Sequence, residues 1–316
     1  MTTPALACPL CKGPSDFHAF ASDTEYFTTP ERFEYRHCGA CDVLFVTPML
    51  ADRLDLIYPE NYYSFDKGGA KNVVTRIKEW LDARLLRRIL KTIPGDKIRV
   101  LDIGGGTGWL SSLVRNLDPR VTFTQIVDLD SRARVQAESN GHSYFLGRIE
   151  DYKSDQPFDL VLMLNLIEHV AHPDEVLLKT KTLLSEKGRV LIKTPNFRAL
   201  DAVLFRHHGW GGYHCPRHFV LFSRESLDRT LNSAGLIVER FRFTQGAPFW
   251  AGSILQMLWR RGIISASAER PYGTNPIAPF LLALTAVFDF ARQPFSRLSQ
   301  MIVVARKVNS MGPTRQ

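Results

Sequence analysis

Between residues 99 and 110 the chain reads Arg-Val-Leu-Asp-Ile-Gly-Gly-Gly-Thr-Gly-Trp-Leu: an apolar run ending in an acid, a glycine cluster, then an apolar restart. A strand that turns sharply into a helix needs this composition, because glycine alone enters left-handed backbone freely and lets the main chain approach a ligand. Single residues exclude two common versions of the turn. A dinucleotide fingerprint counted from Gly104 needs a third glycine where Trp109 stands. A P-loop needs Lys and Ser or Thr after Gly108, where the chain has Trp109 and Leu110. A nucleotide-binding turn of another kind remains, with Asp102, Gly104, Gly106 and Gly108 at every second position.

The flanking pattern predicts strands at 98–103, 122–128, 143–147, 158–164, 189–193, 236–243 and 301–307. Helices are predicted at 108–116, 130–139, 174–184 and 223–234. Such alternation implies an α/β fold with an about seven-stranded, mostly parallel sheet and helices on both faces. Ligands of open sheets collect at the carboxyl ends of the strands. There Asp128, 20 residues past Gly108, is placed to accept hydrogen bonds from ribose hydroxyls, and Leu129 to pack on an adenine. Asp130 competes for that role but suits a helix N-cap. Ile149, Glu150 and Asp151 offer an apolar side chain and acids to the same base, loop charges being the alternative.

The acid-x-Gly-x-Gly-x-Gly turn, Phe158-Asp-Leu-Val followed by Glu168-His-Val, and Leu183-Leu-Ser-Glu-Lys-Gly-Arg-Val-Leu-Ile-Lys-Thr-Pro-Asn196 together resemble class I S-adenosylmethionine-dependent methyltransferases. The resemblance covers about residues 97–245. It implies a Rossmann-like methyltransferase fold and S-adenosylmethionine as cofactor, held by Asp102, Gly104, Gly106, Gly108, Asp128, Leu129, Ile149, Glu150 and Asn165. Methyl transfer is an in-line displacement that needs alignment and, for a hydroxyl nucleophile, a proton acceptor. His218, His169 and His214 are the candidate bases, in that order, with a structural, hydrogen-bonded histidine the competing reading for each. The stretch from Trp210 to Ser223, with the N-terminal cysteines, resembles bacterial methyltransferases of natural-product, cell-surface-glycan and quinone-type pathways. The expected acceptor is therefore a small molecule, glycan or lipid-linked compound, methylated on oxygen. RNA or protein methylation is the alternative, although nucleic acid is not favoured; a further one is a non-catalytic zinc-ribbon binding protein.

Cys8-x-x-Cys11 and Cys38-x-x-Cys41, separated by 26 residues, let four thiolates converge on one Zn²⁺. Four sulfurs leave no open coordination position, so the ion is read as structural; redox thiols and unrelated surface cysteines compete. His37 is a neighbouring turn residue or a substitute ligand, and Cys215 a lone thiol. The predicted organisation is a zinc-ribbon-like module (1–48), a connector with an amphipathic helix (49–95), the cofactor-binding core (96–245), a helical cap or surface-associated insertion (246–300), and a last strand and tail (301–316).

The helix at 72–93 carries Val73, Ile77, Trp80, Leu81, Leu85, Ile89 and Ile93 on one face, and Tyr58, Tyr62 and Tyr63 precede it as cleft cover or packing. Residues 71–99 hold nine Lys and Arg against three acids, within a net charge of +8, which suits an anionic partner or a solvated face. Pro279 and Asp289 interrupt the apolar run in 249–297, so it does not span a bilayer; it roofs the substrate pocket or lies on a membrane surface. The first nine residues lack a secretory pattern, so a cytoplasmic protein is expected, with peripheral contact to the inner membrane face left open.

Overall fold

A computed structural model describes residues 6–59 and 73–308; Tyr62, Tyr63, the Gly68–Gly69 break and the tail from residue 309 lie outside the described residues. The chain opens with an antiparallel meander of β1 (Asp16–Ser22), β2 (Arg32–Cys38) and β3 (Val43–Thr47). A short α1 (Leu54–Ile57) and a long α2 (Val73–Leu90) lead into the main sheet. Then follow β4 (Ile98–Ile103), α3 (Trp109–Leu117), β5 (Val121–Asp128), α4 (Ser131–Ser139), β6 (Ser143–Leu146), β7 (Phe158–Leu164), α5 (Pro173–Leu183) and β8 (Leu184–Pro195). The second half contains α6 (Leu200–Leu204), β9 (Val220–Phe222), α7 (Arg224–Ser233), β10 (Leu236–Thr244), α8 (Ala247–Arg260), α9 (Ala278–Arg292) and β11 (Gln300–Lys307).

The main sheet has seven strands in the order β10-β11-β8-β7-β4-β5-β6. Strands β4 to β8 pair in parallel, and β11 inserts antiparallel between β8 and β10. The order reverses at β4, so the carboxyl ends of β4 and β7 diverge there and open a crevice. One face is packed by α2 and α3 through Leu86, Ile89, Leu90, Leu110 and Val114, the other by α5 and α7 through Val176, Leu177, Leu227 and Leu231. Helix α2 differs from the expected stripe: Trp80 and Leu81 are 56% and 46% exposed, whereas Ala83, Leu86, Ile89 and Leu90 are buried.

The N-terminal module does not fold apart from the core. Strand β9, from the loop region after β8, pairs antiparallel with Val43–Phe45 and becomes the fourth strand of the meander, in the order β1-β2-β3-β9. Phe33, Tyr35 and Phe45 of the meander share one apolar cluster with Phe219, Phe222 and Met163. A buried ion pair adds a polar bond: Arg217 donates to Asp23 at 2.9 Å, both side chains are 0% exposed, and the guanidinium lies over Tyr26. Burial, the largest single effect, would raise the Asp23 carboxyl, but the charge and hydrogen bond of Arg217 together with hydrogen bonds from Thr28 and the Tyr26 N–H outweigh it and hold the group below the usual range. Removing one partner strands a charge in the interior, so Arg217→Ala or Asp23→Ala should cost ~3–5 kcal/mol in urea unfolding. A loss within the range of ordinary surface substitutions would show that the pair does not join the two sheets.

Candidate active site

The glycine-rich turn sits at the carboxyl end of β4. Gly106 has φ +51° and Gly108 φ +77°. A β-carbon on Gly108 would stand 2.5 Å from Cδ2 of His142. That imidazole cannot retreat, since its two nitrogens are bonded to Ser112 and Thr124 at 2.8 and 2.7 Å. At Gly106 a β-carbon would meet nothing within 4 Å, so this residue faces open space. Its N–H donates to Asp128 Oδ2 at 2.8 Å, while Oδ1 of the same carboxylate accepts from the Asp130 N–H at 2.9 Å. Asp128 thus ties the turn to the end of β5 and keeps further lone pairs for a ligand. Asp130 caps α4, accepting from the Arg132 N–H at 3.0 Å.

Asp102 lies beneath the turn, 2% exposed, and accepts from the Ser111 hydroxyl at 2.9 Å. Its carboxyl is close enough to Gly105 that a β-carbon there would come within 2.6 Å. Burial, with the charge of Asp128 adding to it, raises Asp102 to about 7. Leu129 is 52% exposed beside Asp128, as an adenine-facing residue needs to be. Two residues are placed differently from expectation. The Ile149 side chain is a core residue, 4% exposed in the cluster with Tyr152 and Val176, where an apolar side chain gains by leaving water. Glu150 is exposed and lines a groove with Glu175 and Leu178 of α5. Asn165, at φ +53° past β7, is exposed and its Oδ1 accepts from Gln300 at 3.3 Å.

The three histidines converge although 45 residues separate His169 from His214 in the chain. Ring centroids lie 4.6 Å apart for His169 and His218, 5.1 Å for His214 and His218, and 6.0 Å for His169 and His214. Their surroundings differ. His218 is buried, and its Nδ1 faces the Gly212 carbonyl at 2.8 Å, which leaves Nε2 as the lone-pair nitrogen 4.0 Å from Glu168 Oε1. Burial pushes His218 well below the ordinary range and His169 down to about 3. His169 Nδ1 lies 2.9 Å from the Tyr58 hydroxyl and 3.1 Å from the Arg217 carbonyl. His214, in left-handed backbone at φ +39°, has Nδ1 2.6 Å from the Glu25 carboxylate.

A family model described as a methyltransferase domain matches residues 76–240, just over half of the chain. The chain belongs to this methyltransferase domain family. Among curated relatives, the ubiquinone biosynthesis O-methyltransferase of Xanthomonas euvesicatoria pv. vesicatoria is 32% identical over 103 residues, covering 31% of this chain and 43% of the relative. The protein of that name from Rickettsia prowazekii is 26% identical over 145 residues, 45% of this chain and 57% of the relative. The chain thus spans about half the length of the curated relatives it matches. Coclaurine N-methyltransferase, solved with N-methylheliamine and SAH, superposes with a TM-score of 0.50 at 14% identity over 77% of this chain and 75% of its own. The [4+2]-cyclase SpnF gives 0.50 at 15% identity over 76% and 85%. At such identity the likeness shows the fold alone, and a cyclase on the same frame illustrates why function is argued from the site.

Outside the matched region, this family member carries the cysteine cluster. The Lys12 N–H donates to the Cys8 carbonyl at 3.0 Å and the Asp42 N–H to the Cys38 carbonyl at 2.8 Å; Lys12 and Asp42 share left-handed φ values of +60° and +52°. Two equivalent knuckles result. Their sulfurs lie 3.5 Å apart for Cys8 and Cys41 and 3.4 Å for Cys11 and Cys38, and all four fall within 4.8 Å of one another. A tetrahedron with Zn–S bonds of ~2.3 Å has edges of ~3.8 Å, so the donor set fits zinc. His37 Nε2 is 2.8 Å from Asp42 Oδ1, in contact with a knuckle turn and outside the sulfur set.

Sequence reasoning missed Glu25 and Tyr58 as partners of the histidines, since nothing local marks a residue whose partner is more than a hundred positions away. Glu168 was visible as the acid beside His169. It is fully buried, accepts from the Thr194 hydroxyl at 2.8 Å, and burial raises it to about 8. Asp102 and Glu168 therefore hold protons in the folded protein that the unfolded chain has already released. Each of these two groups contributes stability that is lost as pH rises from about 4 through 8, opposite in sign to the buried neutral His169 and His218, so the urea midpoints of Asp102→Asn and Glu168→Gln, taken relative to the parent, should rise across that window. A difference from the parent that stays constant or falls would contradict this. Stoichiometric zinc by elemental analysis, with a lower thermal midpoint after chelation, is the expected behaviour of the four-cysteine centre; a metal-free protein of unchanged midpoint would reject zinc.

Proposed function

We propose that the protein transfers the methyl group of S-adenosylmethionine to an oxygen of a small-molecule, glycan or lipid-linked acceptor. The observation that carries this reading is one arrangement: the turn from Asp102 to Gly108, latched by Asp128, opens at the sheet edge where His169, His214 and His218 meet. The donor, when bound, supplies an electrophilic methyl on a sulfonium. Asp128 and the open side of Gly106 receive its ribose, Leu129 its adenine, and Asp102 supports the turn from below. Asn165 stands at the mouth of the same crevice, after β7.

The geometry favours His214 as base over His218, the first expectation. Burial disfavours the charged imidazolium of His169 and His218, so these two serve as neutral packing and hydrogen-bonding groups. His214 has the Glu25 carboxylate 2.6 Å from Nδ1, a partner that orients the imidazole as the acid of a catalytic triad does. It sits among Thr24 and Glu25 from the meander, Gly211 and Tyr213 from its own loop, and Gln256 from α8, around a void of about 20 Å³. The N-terminal module and the 246–300 segment thus enclose the histidine loop, and the zinc centre would hold the module in register. Ubiquinone O-methyltransferases among the relatives agree with an oxygen nucleophile.

Calorimetric titration tests the donor site: parent protein should bind S-adenosylmethionine, and Asp128→Ala should bind at least about tenfold more weakly. No binding at high micromolar donor would overturn the reading. With radiolabelled donor and a panel of phenolic, glycan and polyprenyl-phenol acceptors, His214→Ala should lower turnover by ~10²–10⁴-fold at unchanged donor affinity. Glu25→Gln should lower it less. Unchanged turnover in His214→Ala would leave alignment as the whole mechanism.

A further inference from the structure

Helix α9 is turned inside out for a helix on a water-soluble surface. Its inward side is polar: Thr285 and Asp289 are buried, and Asp289 accepts from the Gly246 N–H at 2.7 Å, Trp250 Nε1 at 3.1 Å and Arg292 Nε at 2.9 Å. Its outward side is apolar. Phe280 is 67% exposed, Leu284 53%, Val287 67% and Phe290 77%, at spacings of three and four that form one stripe. Phe295, just past the helix, is 89% exposed. No charged residue interrupts the stripe, since Asp289 is the one acid of the helix and it points inward. A contiguous exposed apolar face of this kind marks an interaction site.

The charges around the stripe identify the occupant. Trp250 meets Asp289, and Leu255 clusters with Ala278 and Leu281, so α8 and α9 run antiparallel. Arg260 and Arg261 at the end of α8 therefore flank the start of α9, with exposed Arg270 in the connection and Arg297 beyond the far end. Of the five arginines in residues 246–300, Arg292 pairs with the buried Asp289 and Arg297 with Glu225, which leaves Arg260, Arg261 and Arg270 as exposed cations against Glu269. An apolar stripe framed by arginines suits an anionic bilayer, with the stripe in the acyl boundary and the guanidinium groups among lipid phosphates. A second copy of the chain would bring these arginines against their like, which disfavours self-association. No helix among the described residues is long and apolar enough to cross a membrane, and α9, at 15 residues, spans ~22 Å. We propose that α9 lies in the plane of an anionic membrane surface and anchors the protein there.

The test is flotation of the full chain with vesicles of phosphatidylcholine alone, or with roughly a third phosphatidylglycerol. The parent should float with the anionic vesicles, far less with neutral ones, and the anionic binding should weaken in high salt. Phe280→Asp with Phe290→Asp should reduce binding at least about tenfold, and Arg260→Gln with Arg261→Gln should reduce it severalfold. All of these side chains are at the surface, so thermal midpoints and S-adenosylmethionine affinity should stay at parent values, which separates this proposal from the catalytic reading. Val135→Asp, at a 74% exposed position on α4, is the control and should float as the parent does. Absence of flotation, or binding unaffected by the phenylalanine changes, would overturn the proposal. So would a parent dimer in light scattering that those changes dissolve without any vesicle binding.

Discussion

The buried pair of Arg217 and Asp23 connects the parts of this molecule that would otherwise be independent. Asp23 sits in the turn after β1, where its carboxylate also accepts from the N–H groups of Tyr26 and Thr28 at 3.0 Å each. Arg217 sits between His214 and His218, and its own carbonyl faces His169 Nδ1 at 3.1 Å. The guanidinium thus places the histidine loop against the meander, and the meander is held at its other end by the cysteine knuckles. Strand β9 follows directly and continues the same junction as backbone hydrogen bonds. The interior position is costly for either charge alone, which is why the two elements cannot separate without loss.

Desolvation shapes the rest of the site. Asp102 and Glu168, both enclosed, are pushed toward their neutral forms, as are His169 and His218. Neutral groups thus dominate the interior here, while the Asp128 carboxylate is held by the N–H groups of Gly106 and Asp130. His214 stands apart because Glu25 meets it from the meander. The pairing joins a module outside the matched domain to the histidine loop.

Much of the fold was legible in the chain. Strand and helix boundaries over 98–307 follow the predicted order because each element there carries a full period of its pattern and a terminal signal. Ser223 caps α7, Asp130 caps α4 and Gly235 closes α7. The glycine turn and the place of Asp128 at the end of β5 were legible for the same reason: both are local, written within a strand, a turn and a helix start. Ile149, read as an adenine wall, is buried, since an apolar residue at a strand end packs equally well inward. The stripe of α2 was misjudged at Trp80 and Leu81, because helical spacing reveals which residues share a face but not how far a neighbour extends along it.

The sequence by itself determined the family, the sheet and its order of elements, the glycine-rich turn after β4 and the pairing of the cysteine knuckles, all encoded in short-range spacing. Tertiary structure alone decided that the knuckle module shares a sheet with the core, that Glu25 rather than a nearer acid meets a histidine, and that α9 turns Phe280 and Phe290 outward. These depend on contacts between residues up to 189 positions apart, as in His214 and Glu25, and on which side of an amphipathic helix finds a partner. Periodicity specifies that a helix has two faces. Only the packing of α8 around Asp289 shows that the polar face of α9 is the buried one.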